Sequence, residues 1–407
     1  MPLRSGLVQH RPLPSLFSFP LAVVVAAGVS ACGESPPVGV QSLQVDTLAS
    51  GVVRVTSPER GAWEVDERTG GWTLVEELRI GGDRPGPDLF GNIVALEATA
   101  DGRILVLESQ AAELRVFDAD GTHLRTLGGP GEGPGELGRA SGMALHPDDG
   151  SLWVASPNRF TVFEDDGSLR ATHPRNLGFF QFPWAGGIGA DGRLYDVVTP
   201  GEFTRLSDSF EPDGGFRIPE VEGSEPVRIT GSDGTPIASI TPWFAPRLHW
   251  SWDGGDHLWL AFSDGMTFFQ TTMEGDTTRI LTRSHTPVPV SAAEASAVGL
   301  DMGAATGQFG PNVRIEGDLV GGDTKPAFNG FLVDEVGRLW VDPARAEGGP
   351  RSVEVWSADG AFLGAIPVEG GFAMVSPRPV IRDRHLYAVV RDELGVPFVV
   401  RYRVEGM

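Results

Sequence analysis

An all-β chain folded into a ring of six four-stranded antiparallel blades, a six-bladed β-propeller, is what this sequence predicts. Three observations carry the prediction. The first is a unit of an apolar run, a turn of the Asp-Gly kind and a second apolar run, which recurs along the chain: ATADGRILVLE (98–108), LHPDDGSLWVA (145–155), IGADGRLYDVV (188–198), HWSWDGGDHLWLAF (249–262), FLVDEVGRLWVD (331–342) and, without the glycine, VIRDRHLYAVV (380–390). Asp-Gly supplies the positive φ that a tight hairpin needs. The second is that two further strand-like runs follow each hairpin, giving a repeat of about 40 residues, the length of a propeller blade. The third is the spread of 55 Gly and 32 Pro along 407 residues, which implies many short elements separated by turns.

The blades begin near residues 90, 138, 183, 244, 326 and 370. In the first, ELRVFD (113–118) and THLRTLG (122–128) complete the four strands; RFTVFEDDGSLRATH (159–173) and SVEVWSADGAFLGAIPV (352–368) do so in the second and fifth. Runs such as RILVLE are apolar on both faces, as befits a sheet sandwiched between neighbours. The sixth blade has only three clear strands, ending in PFVVRYRV (397–404). WTLVEELRIGG (72–82) matches the missing fourth strand and precedes the first full unit, so an N-terminal strand is expected to close the ring and remove the exposed sheet edge.

Two segments interrupt the period. Residues 220–241 lengthen the link into the fourth blade. Residues 284–324 form a longer insertion in which SAAEASAVGLDM, after Pro289, predicts one short helix; a recognition element and a tolerated surface loop are both open readings of it. Residues 42–71 form an N-terminal extension whose run GVVRVTS is expected to pad the outside of the ring.

The first 31 residues read as an export signal. Arg4 and Arg11 precede an apolar run, LFSFPLAVVVAAGV (16–29), with no acidic residue, and the run is too short for a comfortable membrane span of about 20 residues. The one cysteine, Cys32, rules out an intrachain disulfide framework. Val29-Ser30-Ala31-Cys32 resembles the lipobox of bacterial lipoproteins. That resemblance implies cleavage before Cys32, its acylation, a lipidated tether over 32–41 and, with Gly33 rather than Asp following, retention at the outer membrane, facing either the periplasm or the surface. An ordinary signal peptide with an incidental cysteine is the alternative.

The pattern LRTLGGPGEGPGEL-x-x-x-x-GMALHPDDGSLWVAS resembles the NHL-repeat group of six-bladed propellers within the wider TolB-like superfamily, clearly over 72–170, less so over 326–404 and weakly over 200–325. WD40 repeats fit worse, because Trp252-Asp253 precedes a hairpin turn instead of ending a third strand. Relatives of this architecture include metal-dependent lactonases and lyases, and a metal-dependent propeller enzyme of that type is the alternative function; this sequence matches none of their signatures residue by residue.

Chemical motifs are sparse. GGPGEGPGELG (128–138) contains a match to the dinucleotide pattern G-x-G-x-x-G, yet the strand SGMALH follows where a phosphate loop would open a helix, so the glycines are read as a hinge between blades. No H-E-x-x-H, G-x-S-x-G, C-x-x-C or P-loop signature occurs, and no catalytic residue, cofactor or metal site is assigned. His249 and His257 flank the turn of the fourth blade without a third ligand, and the HPDDG and FEDDG corners lack calcium-loop spacing. Trp153, Trp259 and Trp340 recur at equivalent second-strand positions, as packing residues would; Trp184, Trp243 and Trp250 are less regular. A net charge of −22 with a pI near 4.7 repels phosphate backbones, which argues against nucleic acid as a partner.

In a propeller the links between blades and the turns between second and third strands emerge on one face around the central channel. That geometry nominates Glu108, Asn158, Arg159, Asp342, Arg345 and Arg391 as a set for a ligand face. The expected protein is a monomer anchored to a membrane by lipid, acting as a binding or scaffold module for a protein or glycan.

Overall fold

Six hydrophobic clusters, one between each pair of neighbouring sheets, close this chain into a ring. In the computed structural model residues 43–65, 70–175, 182–221, 223, 225–307 and 313–407 are described, with side chains omitted over 300–307. The expected signal segment, Cys32 and the tether lie outside these residues.

Blade one comprises Ile93–Ala98, Ile104–Glu108, Glu113–Phe117 and His123–Gly128, paired in that order. Blade two comprises Gly142–Leu145, Leu152–Ser156, Arg159–Phe163 and Leu169–Pro174, and blade three Gly187–Ile188, Leu194–Thr199, Glu202–Leu206 and Pro212–Arg217. Blade four holds Leu248–Trp252, His257–Phe262, Met266–Thr272 and Thr277–Arg283; blade five holds Phe328–Val333, Leu339–Pro343, Ser352–Trp356 and Phe362–Pro367. Blade six has Val380–Arg382, His385–Arg391 and Pro397–Glu405, and Thr73–Ile80 pairs antiparallel with the last of these as its outer strand. The N-terminal closure predicted over 72–82 is therefore present, with the strand two residues shorter at its C-terminal end and one at its start.

First strands touch those of neighbouring blades, which places them around the axis. Burial follows from that order. Ile104–Glu108 and Arg159–Phe163, second and third strands, are buried at every position because another sheet covers each face, whereas the outer strand His123–Gly128 alternates between half-buried and exposed. Between blades one and two, Leu105, Leu107 and Leu114 pack on Met143 and Val154. Between six and one, Tyr387, Val389 and Val399 pack on Ile93, Leu96 and Val106. At six hairpin turns an Asp carboxylate accepts the backbone N–H from two residues on, at Asp118, Asp149, Asp166, Asp253, Asp334 and Asp392, so these carboxylates organise corners.

The N-terminal segment is a strap over three blades. Val53–Ser57 adds parallel to the outer strand of blade four and Gln44–Thr47 adds beyond it, making that sheet six-stranded. The short helix Ala62–Val65 then crosses the outer strand of blade five, where a Cβ on Gly61 would stand 2.4 Å from the Leu363 carbonyl oxygen; only glycine fits. Trp63 stacks toward Trp72 at 5.2 Å, and Trp72 toward Trp340 at 5.9 Å, before the chain enters blade six.

The two interruptions of the period meet each other, which pattern alone did not indicate. The long link contains a hairpin, Val227–Gly231 and Pro236–Ile240, and Val313–Glu316 from the insertion pairs with it to make a separate three-stranded sheet. The helix expected after Pro289 spans Ala292–Gly307. Ser291 starts it with a capping box: its hydroxyl accepts the Glu294 N–H at 3.0 Å, and the Glu294 carboxylate accepts the Ser291 N–H at 3.1 Å. Among the described residues no helix is long and apolar enough to cross a membrane.

Candidate functional site

Links and second-to-third-strand turns do share one face. In blades one, two, four and five a backbone bond joins the end of the second strand or its turn to the link that enters the blade: Ser109 to Asn92, Ser141 to Ala155, Ser263 to Arg247 and Ala344 to Ala327. The six nominated residues lie on this face but do not form one cluster. Glu108 is buried, and its carboxylate accepts N–H groups of Asn92 (2.6 Å), Gln110 (3.1 Å) and Ala111 (2.5 Å), tying turn to link. Asn158 donates to Glu132 at 3.2 Å. Arg159 is buried and donates to the carbonyls of Glu132 (2.5 Å), Gly131 (3.2 Å) and Glu136 (2.8 Å). Asp342 accepts from Asn329 at 3.2 Å, the Arg345 carbonyl accepts from Lys325 at 2.8 Å, and Arg391 donates to the Gly395 carbonyl at 3.0 Å. These bonds are internal, so Glu108 and Arg159 have little capacity left for a ligand.

Arg159 explains the glycine-rich link. Gly128, Gly129, Gly131 and Gly135 all have positive φ, and a Cβ on Gly128 would lie 2.6 Å from Leu137, which the loop buries completely. The carbonyls this path turns inward are the ones that Arg159 collects, and the next element is the strand Gly142–Leu145. The segment is an ordered hinge. Arg115 repeats the device in blade one, donating to the carbonyls of Pro87 (3.2 Å) and Leu89 (2.5 Å) of the preceding link. Replacing Arg159 by Gln removes at least two charge-assisted bonds and is expected to cost about 2–3 kcal/mol in urea unfolding, with new proteolytic cleavage inside 128–138. An unchanged midpoint and cleavage pattern would contradict the clamp.

His249 and His257 are kept apart. His249 pairs with Ala261 and packs on Phe328 at 5.1 Å, while His257 sits at the turn, 3.4 Å from Asp253. Burial, reinforced by Arg247, pushes the His249 imidazole down to about 4, so it is neutral at pH 7. Among the described residues no three His, Cys, Asp or Glu converge at metal-binding distance.

Burial raises the pKa of several acids, Glu354 beside Arg283 among them. Burial raises the pKa of Asp342 against the opposing Asn329, Arg345 and Arg351. Glu97, on the innermost strand of blade one, is pushed up to about 7 by burial, with Arg382, the Ala98 N–H and Arg378 pulling the other way. Sequence reasoning missed Glu97; the available signal was a carboxylate in the otherwise apolar strand IVALEA. An acid whose folded pKa is raised opposes folding once the unfolded chain ionises, so its penalty grows from about pH 4.5 to 7 and is constant above. Glu97→Gln is therefore expected to raise the Tm by roughly 2–4 °C at pH 8 and to leave it unchanged at pH 4, read by calorimetry. Equal shifts at both pH values would show that the charge is not responsible.

One family model carries the same fold in its description. A family model described as a six-bladed β-propeller, DUF5128, matches residues 88–164, which span blade one and most of blade two. None of the curated protein sequences matches the chain. Among solved structures, a protein of Bacteroides fragilis NCTC 9343 whose name calls it exported is 12% identical, with a TM-score of 0.49 and coverage of 86% of this chain and 99% of its own. Virginiamycin B lyase from Staphylococcus aureus is 12% identical, with a TM-score of 0.43 over 82% of this chain and 99% of its own. The PQQ-bound aldose sugar dehydrogenase of Streptomyces coelicolor is 16% identical, with a TM-score of 0.42 over 82% and 99%. This chain is a six-bladed β-propeller.

Proposed function

We propose that this propeller is a lipid-anchored module of the bacterial cell envelope, of the NHL type, held at the outer membrane through Cys32 and binding a protein or glycan with the face that carries its inter-blade links. The observation that supports a binding face is the distribution of exposed apolar side chains. Leu89, Phe182, Val221, Ile237, Trp243, Val375 and Leu394 are all on links or second-to-third-strand turns, with Trp243 54%, Val375 51% and Leu394 89% exposed. Among the described residues the turns of the opposite face carry Val336 alone of the exposed large apolar residues. Apolar and aromatic exposure gathered on one face marks a surface that associates. The sequence Val29-Ser30-Ala31-Cys32 supports the anchor.

Two measurements test the reading. Cells expressing the protein are fed labelled palmitate; label is expected on the wild type and lost in Cys32→Ser, and an unlabelled wild type refutes the anchor. Photo-crosslinking residues at positions 243, 375 and 394 are expected to trap one common species in the envelope, and position 336 none. Capture spread equally over both faces would refute the binding face.

A further inference from the structure

The two interruptions of the blade period build one lobe. Its neck is the bridge from Pro289 to Thr324, flanked by bonds from the Val290 N–H to the Asp323 carbonyl (2.9 Å) and from the Lys325 N–H to the Val288 carbonyl (2.8 Å). Trp243 and Phe244, from the link into blade four, donate to the carbonyls of Leu319 and Val320 in the insertion at 2.9 and 2.8 Å. The three-stranded sheet of this lobe has two unlike faces. Val227 and Ile229 are buried on one of them, where Ala238 and Ile315 oppose Ile229. The other carries Arg228, opposed by Ser239 and Glu316, and Thr230, opposed by Arg314.

Pro236–Ile240 pairs with Val227–Gly231 and, among the described residues, with nothing on its other side, so its outer backbone groups form an open edge. The register shift beside Thr230 leaves Ile237 as an extra residue on that edge, 43% exposed. A cleft of about 410 Å³ runs along these two strands, with Arg228, Thr230, Pro236, Ile237 and Ser239 in its lining. Thr230 is only 8% exposed, and its hydroxyl has no hydrogen-bond partner among the described residues. Arg228 and Arg314 are exposed and make no hydrogen bond or ion pair with a described residue, even though Glu316 opposes Arg228. Arg115, Arg159, Arg283 and Arg338, by contrast, are all engaged. Unused donors therefore gather on one sheet face beside an unpaired strand, and an extended chain bearing acceptors complements them.

We propose that this edge takes up an extended acidic segment of a partner protein as a fourth strand. The segment's backbone pairs with Pro236–Ile240, and an apolar side chain of the segment covers Ile237. Ser239 lies between Arg228 and the added strand, and its small side chain lets the guanidinium reach across to a carboxylate there. Main-chain pairing supplies affinity, and Arg228, with Arg314 on the same face, selects for negative charge. The attraction is local in a chain of net charge −22, because acids beyond a Debye length of about 8 Å are screened at physiological salt. The proposal deepens the binding reading above, on which it rests, by naming the chemistry of the partner.

Phage-displayed random peptides selected on the purified protein test this. Recovered sequences should alternate Asp or Glu with β-branched or aromatic residues, and synthetic copies should bind more weakly as salt rises. Arg228→Glu should weaken those copies about tenfold or more, and Ile237→Glu likewise, because each sets a negative charge where the strand would lie. Both side chains are exposed and Arg228 is unpaired, so both variants should melt with the wild type, and lost binding is not lost folding. Recovery of no binder, of peptides without acidic residues, or of peptides that bind Arg228→Glu unchanged overturns the proposal. Crosslinking at positions 375 and 394 lies outside this lobe, so it decides the binding face independently. One species trapped there, with no peptide recovered, would strike the strand site alone.

Discussion

Asp196→Ala is expected to destabilise the propeller by about 3–5 kcal/mol, among the largest effects of any single polar substitution in it. Asp196 lies on the second strand of blade three with no exposed surface, and its carboxylate accepts from Arg175 Nε (2.6 Å), Arg175 Nη2 (2.7 Å), Trp184 Nε1 (2.9 Å) and its neighbour's backbone, the Val197 N–H (2.9 Å). Arg175 comes from the end of blade two and also donates to the Ser156 carbonyl at 3.0 Å, so the carboxylate joins two blades and the link between them. Truncation leaves a buried guanidinium facing a cavity with its counter-charge gone, and an indole N–H without an acceptor. Urea unfolding at pH 7 would measure the loss. Asp196→Asn, which keeps the shape and one acceptor, should lose less than the alanine variant; equal losses would mean that volume rather than charge pairing matters at this position.

Removal of the chain up to residue 82 should be more damaging still. It takes away the outer strand Thr73–Ile80 and leaves Pro397–Glu405 as an open edge. It also removes Ile80 from the cluster between blades six and one, Trp72 from contact with Trp340, and Glu77 from its ion pairs with Arg403 (2.8 Å), His385 (3.3 Å) and Arg401 (3.7 Å). At roughly 1.5–3 kcal/mol per buried apolar side chain, the loss approaches the 5–15 kcal/mol that typically separates folded from unfolded protein. The bare edge invites pairing between chains. Size-exclusion chromatography should show aggregation and calorimetry no cooperative transition, whereas removal up to residue 52, which takes only the Gln44–Thr47 edge strand, should leave a soluble monomer. A cooperative, monomeric protein after the longer removal would show that the ring does not need its N-terminal closure.

Much of this architecture was readable because blade strands are local. Each hairpin places its Asp-Gly turn a fixed few residues from its apolar runs, so the units show as a period, and the shortage of one strand in the last unit matches a strand left over at the start. Pairings between segments far apart in sequence had no such signature. The joining of Val227–Gly231 to Val313–Glu316 and the parallel addition of Val53–Ser57 to Thr277–Arg283 depend on backbone groups that any residue carries. Asp and Arg on the link face were nominated by position alone, and position does not distinguish Arg159, which is buried and occupied by carbonyls of its own link, from Arg391, which is exposed.

By itself, then, the sequence determined the blade count, the closure, the hinge character of Gly128 to Gly138 and the expectation of a lipid anchor at Cys32, because turn chemistry, apolar alternation and short motifs act over a few residues. Only the tertiary structure decided which charges are satisfied. A carboxylate or guanidinium acquires its role from groups brought to it by other segments, and the engagement of Arg159 by its link and of Asp196 by Arg175 arises only when six sheets close around one axis.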